Sequence, residues 1–334
     1  MALSLIIMPA HSIIIGTGSC VPQKVVTNKD LEGRVDTTDE WIRTRTGIIQ
    51  RHISNDRETN SYLATQSARK ALDMAGVRPQ DLDLIIVGTM TPDMPVPSVA
   101  CLVQNELGAK RAGAFDLYAA CSSFIYALSV ADKYIRSDSG MKILVIGSEV
   151  LSRVINWEDR NTCVLFGDGA GAVVIAGTGE DRGILSTHLH ADGSLGELLI
   201  IRGLGTAFPV SHENLEKGWQ YIQMQGRDVF KYAVKAMESA AWEALDANGW
   251  NGDDVDLFFS HQANIRIIDL LGERLGIPKE KIFINIHKYG NTSAASIPIA
   301  LDEANRTGML TPGLRVLMVA FGGGFTWGSG AMCW

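Results

Sequence analysis

Apolar runs and helix-like stretches alternate along the chain, and one such unit occurs twice. The stretch ALDMAGVRPQDLDLIIV at 71–87 resembles ALDANGWNGDDVDLFFS at 244–260, and 7 of the 17 aligned positions are identical. Each copy has the pattern of a helix end, a glycine stop, an acidic turn and an apolar strand. The strand-like runs KILVIG at 142–147 and RVLMVA at 315–320 recur at the same offset along the chain. The pattern therefore indicates an internal duplication.

The duplication predicts two similar α/β halves. We place them at residues 1–178 and 179–334, which meet near the glycine-rich AGTGEDRG at 176–183. Strands that alternate with helices favour mixed β-sheets covered by helices. A functional site is then expected between the halves.

Composition narrows the class of protein. The 334 residues are 46% hydrophobic and 20% charged, with a formal net charge of −7. This balance is typical of a soluble acidic protein and argues against non-specific nucleic-acid binding. No run has the apolar length that spans a bilayer. The first twenty residues lack the basic region of a secretion signal, so we interpret HSIIIGTGSC at 11–20 as a buried strand and turn, and we expect a cytoplasmic protein.

The cysteine pattern favours a reducing compartment. The five cysteines are Cys20, Cys101, Cys121, Cys163 and Cys333. Their odd number, their wide spacing and the lack of a CxxC pair predict neither a disulfide framework nor a zinc site. His188 and His190 point to one side of a predicted strand over 184–190, but no third ligand is evident and we predict no metal site.

Three polar positions lie where apolar elements end. Cys121 follows a strand-like run in AFDLYAACSSFIYALSVADKYI and precedes a largely apolar helix. His261 follows the predicted strand 255–260, and Asn291 lies in a Gly-Asn-Thr-Ser turn before another helix. Loops at strand ends are where catalytic groups concentrate.

Each of these residues alone has an ordinary structural explanation. Cys121 fits a small core residue, His261 a hydrogen-bonded strand end, and Asn291 a turn or helix cap. Together, a cysteine at a helix start, a histidine and an asparagine favour catalysis. The unpaired N–H groups and the dipole of the helix start predict a lowered pKa for the Cys121 thiol. Asp168 in FGDGAG is expected to organise a turn.

Six motifs in this order resemble those of the β-ketoacyl-acyl carrier protein synthase III family, in the thiolase-like condensing enzyme superfamily. They are VDTTDEWIRTRTGI at 35–48, AACSS at 119–123, FGDGAGA at 166–172, HQANIRII at 261–268, YGNTSAAS at 289–296 and AFGGGFTWG at 320–328. The resemblance covers essentially the full length. It implies a homodimer and a layered αβαβα fold of two pseudo-symmetric halves, each with a mixed sheet.

The resemblance implies a decarboxylative Claisen condensation that initiates fatty-acid synthesis. Cys121 would take the acyl group from an acyl-CoA primer. Malonyl-acyl carrier protein would then lose CO₂ and attack that acyl group, which gives a 3-oxoacyl carrier protein. His261 and Asn291 would donate hydrogen bonds to the enolate oxygen, so no permanently bound cofactor is expected. The backbone N–H groups of Cys121 and Gly323 would form the oxyanion hole for the attacked acyl carbonyl.

The resemblance also assigns residues to CoA. Trp41 and Arg160 match positions that hold the adenine between a ring and a guanidinium, and Arg45 matches a residue that meets the phosphates. The residues that would line the pantetheine tunnel are Thr46, Gly226, Phe230, Ala263 and Asn264. Without the resemblance, core packing would explain Trp41 and surface solvation would explain the arginines.

Docking of an acidic carrier protein requires a local basic patch on this acidic chain. Arg227, Lys231 and Lys235 have the spacing of one helix face, and Arg266 and Arg274 share a predicted helix further on. A solvated helix face is the simpler explanation of these residues.

Two residues are assigned to the acyl pocket, Val96 and Phe166. Val96 lies in PVPSVAC at 95–101, a segment that reaches across the dimer interface in the family. Many bacterial relatives carry a bulky aromatic residue there, which blocks the end of the pocket. We expect the smaller Val96 to admit primers longer or more branched than acetyl.

Other functions remain open. A degradative thiolase would need a second catalytic cysteine near the C-terminal glycines, where AFGGGFTWG has none. A hydroxymethylglutaryl-CoA synthase would need a general-base glutamate in place of the His/Asn pair. A condensing enzyme of a specialised, polyketide-like pathway, a Cys/His/Asn thioester hydrolase and a non-catalytic binding module would each fit the same residues.

Overall fold

A computed structural model describes residues 11–334 of the chain. The prediction that no secretion signal precedes the first strand therefore concerns residues 1–10, which lie outside the described residues. The stretch 11–20 is a strand, as predicted. No helix among the described residues combines the length and the apolar character needed to cross a lipid bilayer.

Strands and helices alternate through most of the described chain. The strands are β1 His11–Cys20, β2 Val25–Thr27, β3 Gln50–His52, β4 Leu84–Gly88, β5 Gly113–Leu117, β6 Lys142–Glu149, β7 Gly169–Thr178, β8 Gly183–Ala191, β9 Leu199–Ile201, β10 Ile222–Met224, β11 Leu257–Ser260, β12 Arg315–Gly322 and β13 Thr326–Cys333. The α-helices are α1 Asn28–Glu32, α2 Asp39–Thr46, α3 Asn60–Ala75, α4 Val99–Leu107, α5 Ser123–Ser137, α6 Arg160–Cys163, α7 His212–Glu216, α8 Gly226–Ala247, α9 Ile265–Leu275, α10 Ile286–Tyr289 and α11 Ser296–Arg306.

Two mixed sheets form the framework of the described residues. The first has the order β1-β7-β6-β4-β5, and the second has the order β11-β12-β13-β8. In the first sheet β4 pairs in parallel with β5 and β6, whereas β7 is antiparallel to β6 and β1. In the second, β11 and β12 are parallel, and β13 is antiparallel to β12 and β8. Parallel neighbours need crossover helices, which explains why both sheets are covered.

The apolar runs of the sequence form strands whose two faces are both buried. Ile143 and Val145 of β6 lie in a core shared with α5 and α11, whereas Leu144 and Ile146 lie in a core shared with α3 and α4. Alternate residues of a strand point to opposite faces, so a continuous apolar run is what a doubly covered strand requires.

The cores define five layers. Helices α3 and α4 cover the outer face of the first sheet, and α8 and α9 cover the outer face of the second. Helices α5 and α11 lie between the sheets, and their apolar residues share one core with strands of both. The expected αβαβα layering is confirmed.

Glycines allow α11 to approach the first sheet closely. A Cβ atom on Gly147 would lie 2.1 Å from the carbonyl oxygen of Ala294, and one on Gly171 would lie 2.6 Å from the backbone nitrogen of Ile299. Side chains at these positions would force the helix away from the sheet. The turn that precedes α11 is thereby held against β6.

The division of the chain near residue 178 stays a prediction, and the topology supports it. The first sheet uses strands between residues 11 and 178, and the second uses strands between 183 and 333. At the offset that aligns position 71 with position 244, β4 corresponds to β11, β6 to β12, and α5 to α11.

Candidate active site

Cys121 lies in a short 3-10 turn, Ala120–Ser122, that leads from β5 into α5. The backbone of Ala120 has a φ of 47°, in the left-handed region that residues with a Cβ rarely adopt. The backbone N–H of Ala119 donates a hydrogen bond of 2.8 Å to Oγ of Ser123 at the start of α5. These contacts hold the cysteine at the entrance of a buried helix, as the sequence predicts.

Asn291 is held by the loop that precedes β7. Its backbone N–H donates to the carbonyl oxygen of Leu165 at 2.9 Å, and its own carbonyl accepts from the N–H of Gly167 at 3.0 Å. The backbone N–H of Ser293 donates to Oδ1 of Asn291 at 2.9 Å. Since the amide oxygen is occupied, the Nδ2 group of Asn291 remains as the donor for a ligand.

His261 directly follows β11 and is almost fully buried. Its Nδ1 lies 2.7 Å from Oγ of Ser296, the first residue of α11. The N–H of Gln262 points at the same oxygen at 3.5 Å. When the Ser296 hydroxyl donates to Nδ1, the proton of a neutral ring lies on Nε2.

Burial lowers the pKa of His261 to about 4. The imidazole is therefore neutral at neutral pH. A neutral Nε2–H is a hydrogen-bond donor and carries no charge that a ligand would have to displace.

Cys121, His261 and Asn291 line one cavity of about 550 Å³. Most of its wall is apolar, with residues such as Leu151, Phe166 and Ile267. Further predicted site residues on the wall are Gly226, Phe230, Ala263, Asn264 and Gly323. A largely apolar pocket with a few convergent polar groups is the usual form of a small-molecule site.

The electrostatic prediction for Cys121 is wrong. Burial raises the pKa of its thiol to about 12, and the nearby Glu149 carboxylate raises that pKa further. The Ser293 hydroxyl lowers the Cys121 pKa, but its effect is smaller than that of burial. A cysteine in a low-dielectric site without a cation beside it holds its proton. A role of Cys121 as nucleophile would therefore require that the thiol lose its proton during attack.

The loop between β12 and β13 closes one side of the cysteine turn. A Cβ atom on Gly322 would lie 2.6 Å from the backbone nitrogen of Cys121, so only glycine permits this approach. Thr326 Oγ1 donates to the carbonyl oxygen of Ala119 at 2.8 Å. Gly323 follows Gly322 and lines the cavity, as a partner of Cys121 in an oxyanion hole must.

The residues assigned to CoA form two groups. The guanidinium groups of Arg45 and Arg160 each lie 4.9 Å from the centroid of the Trp41 ring. Nδ2 of Asn264 donates to the carbonyl oxygen of Arg45 at 3.0 Å, which joins this stack to the cavity wall. Thr46 is not brought to the cavity, because its hydroxyl is buried and donates to the carbonyl oxygen of Ile42 at 2.6 Å.

The basic residues lie on two packed helices. Arg227, Lys231 and Lys235 are exposed on α8, and Arg266 and Arg274 are exposed on α9. The guanidinium of Arg266 lies 5.8 Å from the ring of Phe230, a residue of the cavity wall. Arg274 forms an ion pair at 2.6 Å with Glu238 of α8, so the charge of one of these five basic residues is already compensated.

The two residues assigned to the acyl pocket have different surroundings. Phe166 is buried and lines the cavity, where it also pairs with Asn291 in a β-bridge. Val96 is 84% exposed and is not among the described residues that line the cavity of this chain. Its predicted role depends on a second copy.

Sequence reasoning missed three residues at the site. Glu149 ends β6 as a buried carboxyl, and Ser293 and Ser296 lie beside Asn291 and His261. The two serines lie inside the motif YGNTSAAS, but the sequence alone predicts no role for either of them. For Glu149 the available signal was an acidic residue directly after the apolar run KILVIGS.

Asp168 and the pair His188 and His190, which the sequence also singled out, lie outside the cavity. Asp168 accepts hydrogen bonds from the backbone of Ser54 and from the backbone and hydroxyl of Ser152, so its predicted turn-organising role is confirmed. His188 and His190 lie on one face of β8 and both contact Glu243, at 3.1 and 2.6 Å.

Comparison with known proteins shows what this chain is similar to. The family described as 3-oxoacyl-[acyl-carrier-protein (ACP)] synthase III matches residues 115–193, and its C-terminal family matches residues 245–334. A beta-ketoacyl-[acyl-carrier-protein] synthase III of Caldanaerobacter subterraneus subsp. tengcongensis is 51% identical over 321 residues, which cover 96% of this chain and 97% of that protein.

Solved structures show the same likeness. The crystal structure of 3-oxoacyl-[acyl-carrier-protein] synthase III from Aquifex aeolicus has a TM-score of 0.90 and 52% identity, over 97% of this chain and all of that chain. The priming beta-ketosynthase from the R1128 polyketide biosynthetic pathway also has a TM-score of 0.90, with 36% identity over 97% of this chain and 96% of that chain.

Proposed function

We propose that this enzyme uses Cys121 as its nucleophile and that His261 and Asn291 donate hydrogen bonds to the enolate. The chain belongs to the 3-oxoacyl-[acyl-carrier-protein] synthase III family of condensing enzymes, which initiate fatty-acid synthesis. The single observation that carries the proposal is the convergence of these three side chains on one apolar cavity. Its substrates are an acyl-CoA and a malonyl-acyl carrier protein.

Acyl transfer is the first half of the reaction. The Cys121 sulfur attacks the thioester carbon of acyl-CoA, a new C–S bond forms, and CoA leaves as a thiolate that takes up a proton. The charge that develops on the acyl oxygen is stabilised by the backbone N–H groups of Cys121 and Gly323. The close contact of the β12–β13 loop with the cysteine turn supports this assignment.

Decarboxylation is the second half. The malonyl thioester loses CO₂, and negative charge builds on its thioester oxygen. Nε2–H of His261 and Nδ2–H of Asn291 are both neutral donors with their other polar atom already engaged. Donors fixed before the reaction stabilise developing charge without reorganisation. The enolate carbon then attacks the acyl group on Cys121 and forms the 3-oxoacyl product.

These donors remove the need for a bound electron sink. The chemistry requires only that one oxygen be stabilised as an anion, and two hydrogen bonds in a largely apolar pocket can do so. We therefore propose that acyl-CoA binds as a substrate and that no cofactor is retained.

The Trp41 stack supports a CoA site at the cavity mouth. An aromatic ring beside two guanidinium groups combines a stacking surface with positive charge, which suit an adenine and its phosphates. The exposed cations of α8 and α9 flank Phe230 on the cavity wall and support docking of an acidic carrier protein.

A homodimer is supported by an unpaired edge. β5 is the last strand of the first sheet and has no neighbour beyond it among the described residues. Exposed apolar side chains flank it: Tyr118 directly follows β5, and Met94 and Val96 precede α4, whose first residues Val99 and Ala100 donate to the Asp116 carboxylate of β5. Such an edge is normally covered in the native assembly. In that assembly Val96 would end the acyl pocket of the partner and admit primers larger than acetyl.

A priming enzyme of a polyketide pathway is the second candidate. The observation that favours it is the 36% identity and 0.90 TM-score to the priming ketosynthase of the R1128 pathway. The two roles share the chemistry and differ in the primer and the carrier protein.

A two-step assay tests the proposal. Mass spectrometry of the intact protein after incubation with acyl-CoA should show an acyl adduct on Cys121. Added malonyl-carrier protein should release CO₂ and give a 3-oxoacyl product. A free acid in place of that product would point to a hydrolase, and the absence of an adduct would point to a binding module. Turnover with acetyl-, isobutyryl- and octanoyl-CoA measures the primer preference. A strict preference for acetyl-CoA would contradict the hypothesis that Val96 admits larger primers.

A further inference from the structure

A buried carboxyl lies next to the reaction site without lining it. Glu149 ends β6 and has no exposed surface, and it is not one of the described residues on the cavity wall. Its oxygens accept from Oγ1 of Thr91 at 2.5 Å and from the backbone N–H of Met90 at 3.2 and 3.3 Å. Among the described residues no cation pairs with it, so hydroxyl and amide donors alone oppose the cost of burial.

Ser293 connects this carboxyl to the nucleophile. Its Oγ donates to Oε1 of Glu149 at 3.1 Å. The same hydroxyl lies beside the Cys121 sulfur, whose pKa it lowers by donating to the thiolate form, and both residues line the cavity. A hydroxyl has one proton, and while Cys121 is a thiol that proton is directed to the carboxylate. Its lone pairs remain to accept the S–H of Cys121.

His261 does not accept the thiol proton in the tautomer that the proposed enolate contact requires. A donor to the enolate carries its proton on Nε2, and the Ser296 hydroxyl 2.7 Å from Nδ1 then donates to Nδ1. The proton of a thiol with a raised pKa therefore needs another acceptor during attack.

We infer that Glu149 accepts the proton of Cys121 through Ser293 when the sulfur attacks the acyl-CoA thioester. The inference rests on the proposed function for the identity of the acyl donor. Glu149 does not touch substrate; it acts through the serine hydroxyl, as a proton acceptor one residue removed from the sulfur.

The transfer balances without an added reactant. The S–H bond of Cys121 breaks and its proton goes to Ser293 Oγ, while the Ser293 O–H proton goes to Oε1 of Glu149. The sulfur forms a bond to the thioester carbon as the bond from that carbon to the CoA sulfur breaks. The leaving CoA thiolate later takes up one proton, and Glu149 is ionised again. After the transfer, the new Ser293 O–H points back at Cys121 and stabilises its developing negative charge.

Burial raises the pKa of Glu149 to about 7. A base is most effective when its pKa lies near the working pH, so the carboxyl is suited to this exchange. The titratable groups that face it are Tyr118 and Cys121, whose pKa values its charge raises. Neutralising Glu149 removes that unfavourable charge at the moment when the sulfur becomes negative.

The rate of single-turnover acylation against pH tests the inference. In the unaltered enzyme the rate should rise with pH, inflect near pH 7 and then level, because the carboxylate form of Glu149 is required. Glu149→Gln should slow acylation by about 10²- to 10³-fold at pH 7.5. It should also lose the inflection, so that the rate rises about tenfold per pH unit toward the pKa of the thiol.

Two further variants guard against a folding defect. Ser293→Ala should give the same two changes, and the backbone tolerates alanine there because Ala120 adopts nearly the same φ, 47° against 49°. Glu149→Asp should recover part of the rate and keep an inflection. Glu58→Gln is the matched control, since Glu58 is a buried carboxyl whose oxygens accept from the backbone N–H groups of Gln23 and Asn55. This control should keep the profile of the unaltered enzyme.

The outcomes separate this inference from the proposed function. If Glu149→Gln or Ser293→Ala acylates within a few-fold of the unaltered rate and keeps the inflection near pH 7, the inference is overturned. If the unaltered protein forms no adduct with any acyl-CoA, the proposed function fails. Alkylation of Cys121 by iodoacetamide over the same pH range then still decides the inference, since that reaction also requires loss of the thiol proton.

Discussion

Two turns that occupy matching positions in the two halves, Ala120–Ser122 and Ser293–Ala295, can be compared residue by residue. Each opens with a left-handed residue that is not glycine, with φ of 47° at Ala120 and 49° at Ser293. Each leads into a helix that begins with a serine, Ser123 in α5 and Ser296 in α11. The backbone of the site is therefore built twice, and the chemistry differs between the copies.

The strand ends beside the two turns show the same division. Gly88 ends β4, and a Cβ atom there would lie 2.7 Å from Cβ of Ser123. The corresponding position of the second copy is His261, which hydrogen-bonds Ser296 instead. In the proposed mechanism the first turn presents the nucleophile, whereas the donors His261 and Asn291 lie beside the second turn. A duplicated fold thus supplies two matching positions of the backbone, and the proposed roles divide one reaction between their side chains.

The largest effect is expected when the nucleophile, which distinguishes the first turn from the second, is replaced. Cys121→Ser should lower condensation by about 10⁴- to 10⁶-fold, because the second turn offers alanine at the corresponding position and no substitute nucleophile. Overall turnover with acyl-CoA and malonyl-carrier protein measures the loss. Cys333→Ser is the control and should retain turnover. A Cys121→Ser enzyme with unaltered turnover would exclude this nucleophile.

The features of the two turns that depend on local sequence pattern could be predicted from the sequence. The constant offset between the copies, the strand ends and the turns before α5 and α11 follow from apolar periodicity and glycine stops, which are local signals. The resemblance added the roles of Cys121, His261 and Asn291, which remain proposals here.

The sequence could not supply the parts that depend on contacts between distant elements. Glu149 and Ser293 are 144 residues apart, and their hydrogen bond exists only because Gly147 lets the turn before α11 approach β6. The raised pKa of Cys121 was missed for the same reason. The helix start is visible in the sequence, whereas the burial that outweighs it is a property of the packed fold.

Asn291→Asp should separate the two halves of the reaction. The aspartate keeps an oxygen for the N–H of Ser293 and the two backbone bonds to the β7 loop, but it removes the Nδ2 donor. Decarboxylation, followed by CO₂ release, should fall by about 10²- to 10³-fold. Acylation of Cys121 should remain within about threefold. Asn248→Asp, the same change at the end of α8, is the control, and an equal loss in both steps would contradict a donor role confined to the second turn.

The strand ends Glu149 and Gly322 also correspond between the two copies, and only the first bears a titratable group. The folded-state pKa of Glu149 is about 7, against an ordinary value of 4.5, so folding favours its neutral form. This group therefore reduces stability as pH rises from about 4.5 to 7, by about 3 kcal/mol in total.

Glu149→Gln should abolish that pH dependence. The free energy of unfolding of the variant, relative to the unaltered protein, should increase by about 3 kcal/mol between pH 4.5 and 8. Urea unfolding at both pH values measures it. His261, whose lowered pKa destabilises the fold below about pH 6.5, is present in both proteins and cancels in the difference. A difference that does not change with pH would show that folding leaves the pKa of Glu149 unshifted.

The smallest effect is expected at the helix starts, where Ser123 and Ser296 use the same hydroxyl for different tasks. Ser123 accepts from the backbone N–H of Ala119 before the cysteine turn, whereas Ser296 Oγ lies 2.7 Å from Nδ1 of His261 and orients its ring. Ser296→Ala should leave acylation unchanged and slow decarboxylation by about 3- to 10-fold, the value of one hydrogen bond. Ser123→Ala should instead slow acylation, because it loosens the turn that carries Cys121. Single-turnover rates of the two steps in both variants measure the contrast. If Ser296→Ala slowed acylation as much as decarboxylation, Ser296 would have a structural role in the turn. It would then have no specific role in orienting the imidazole of His261.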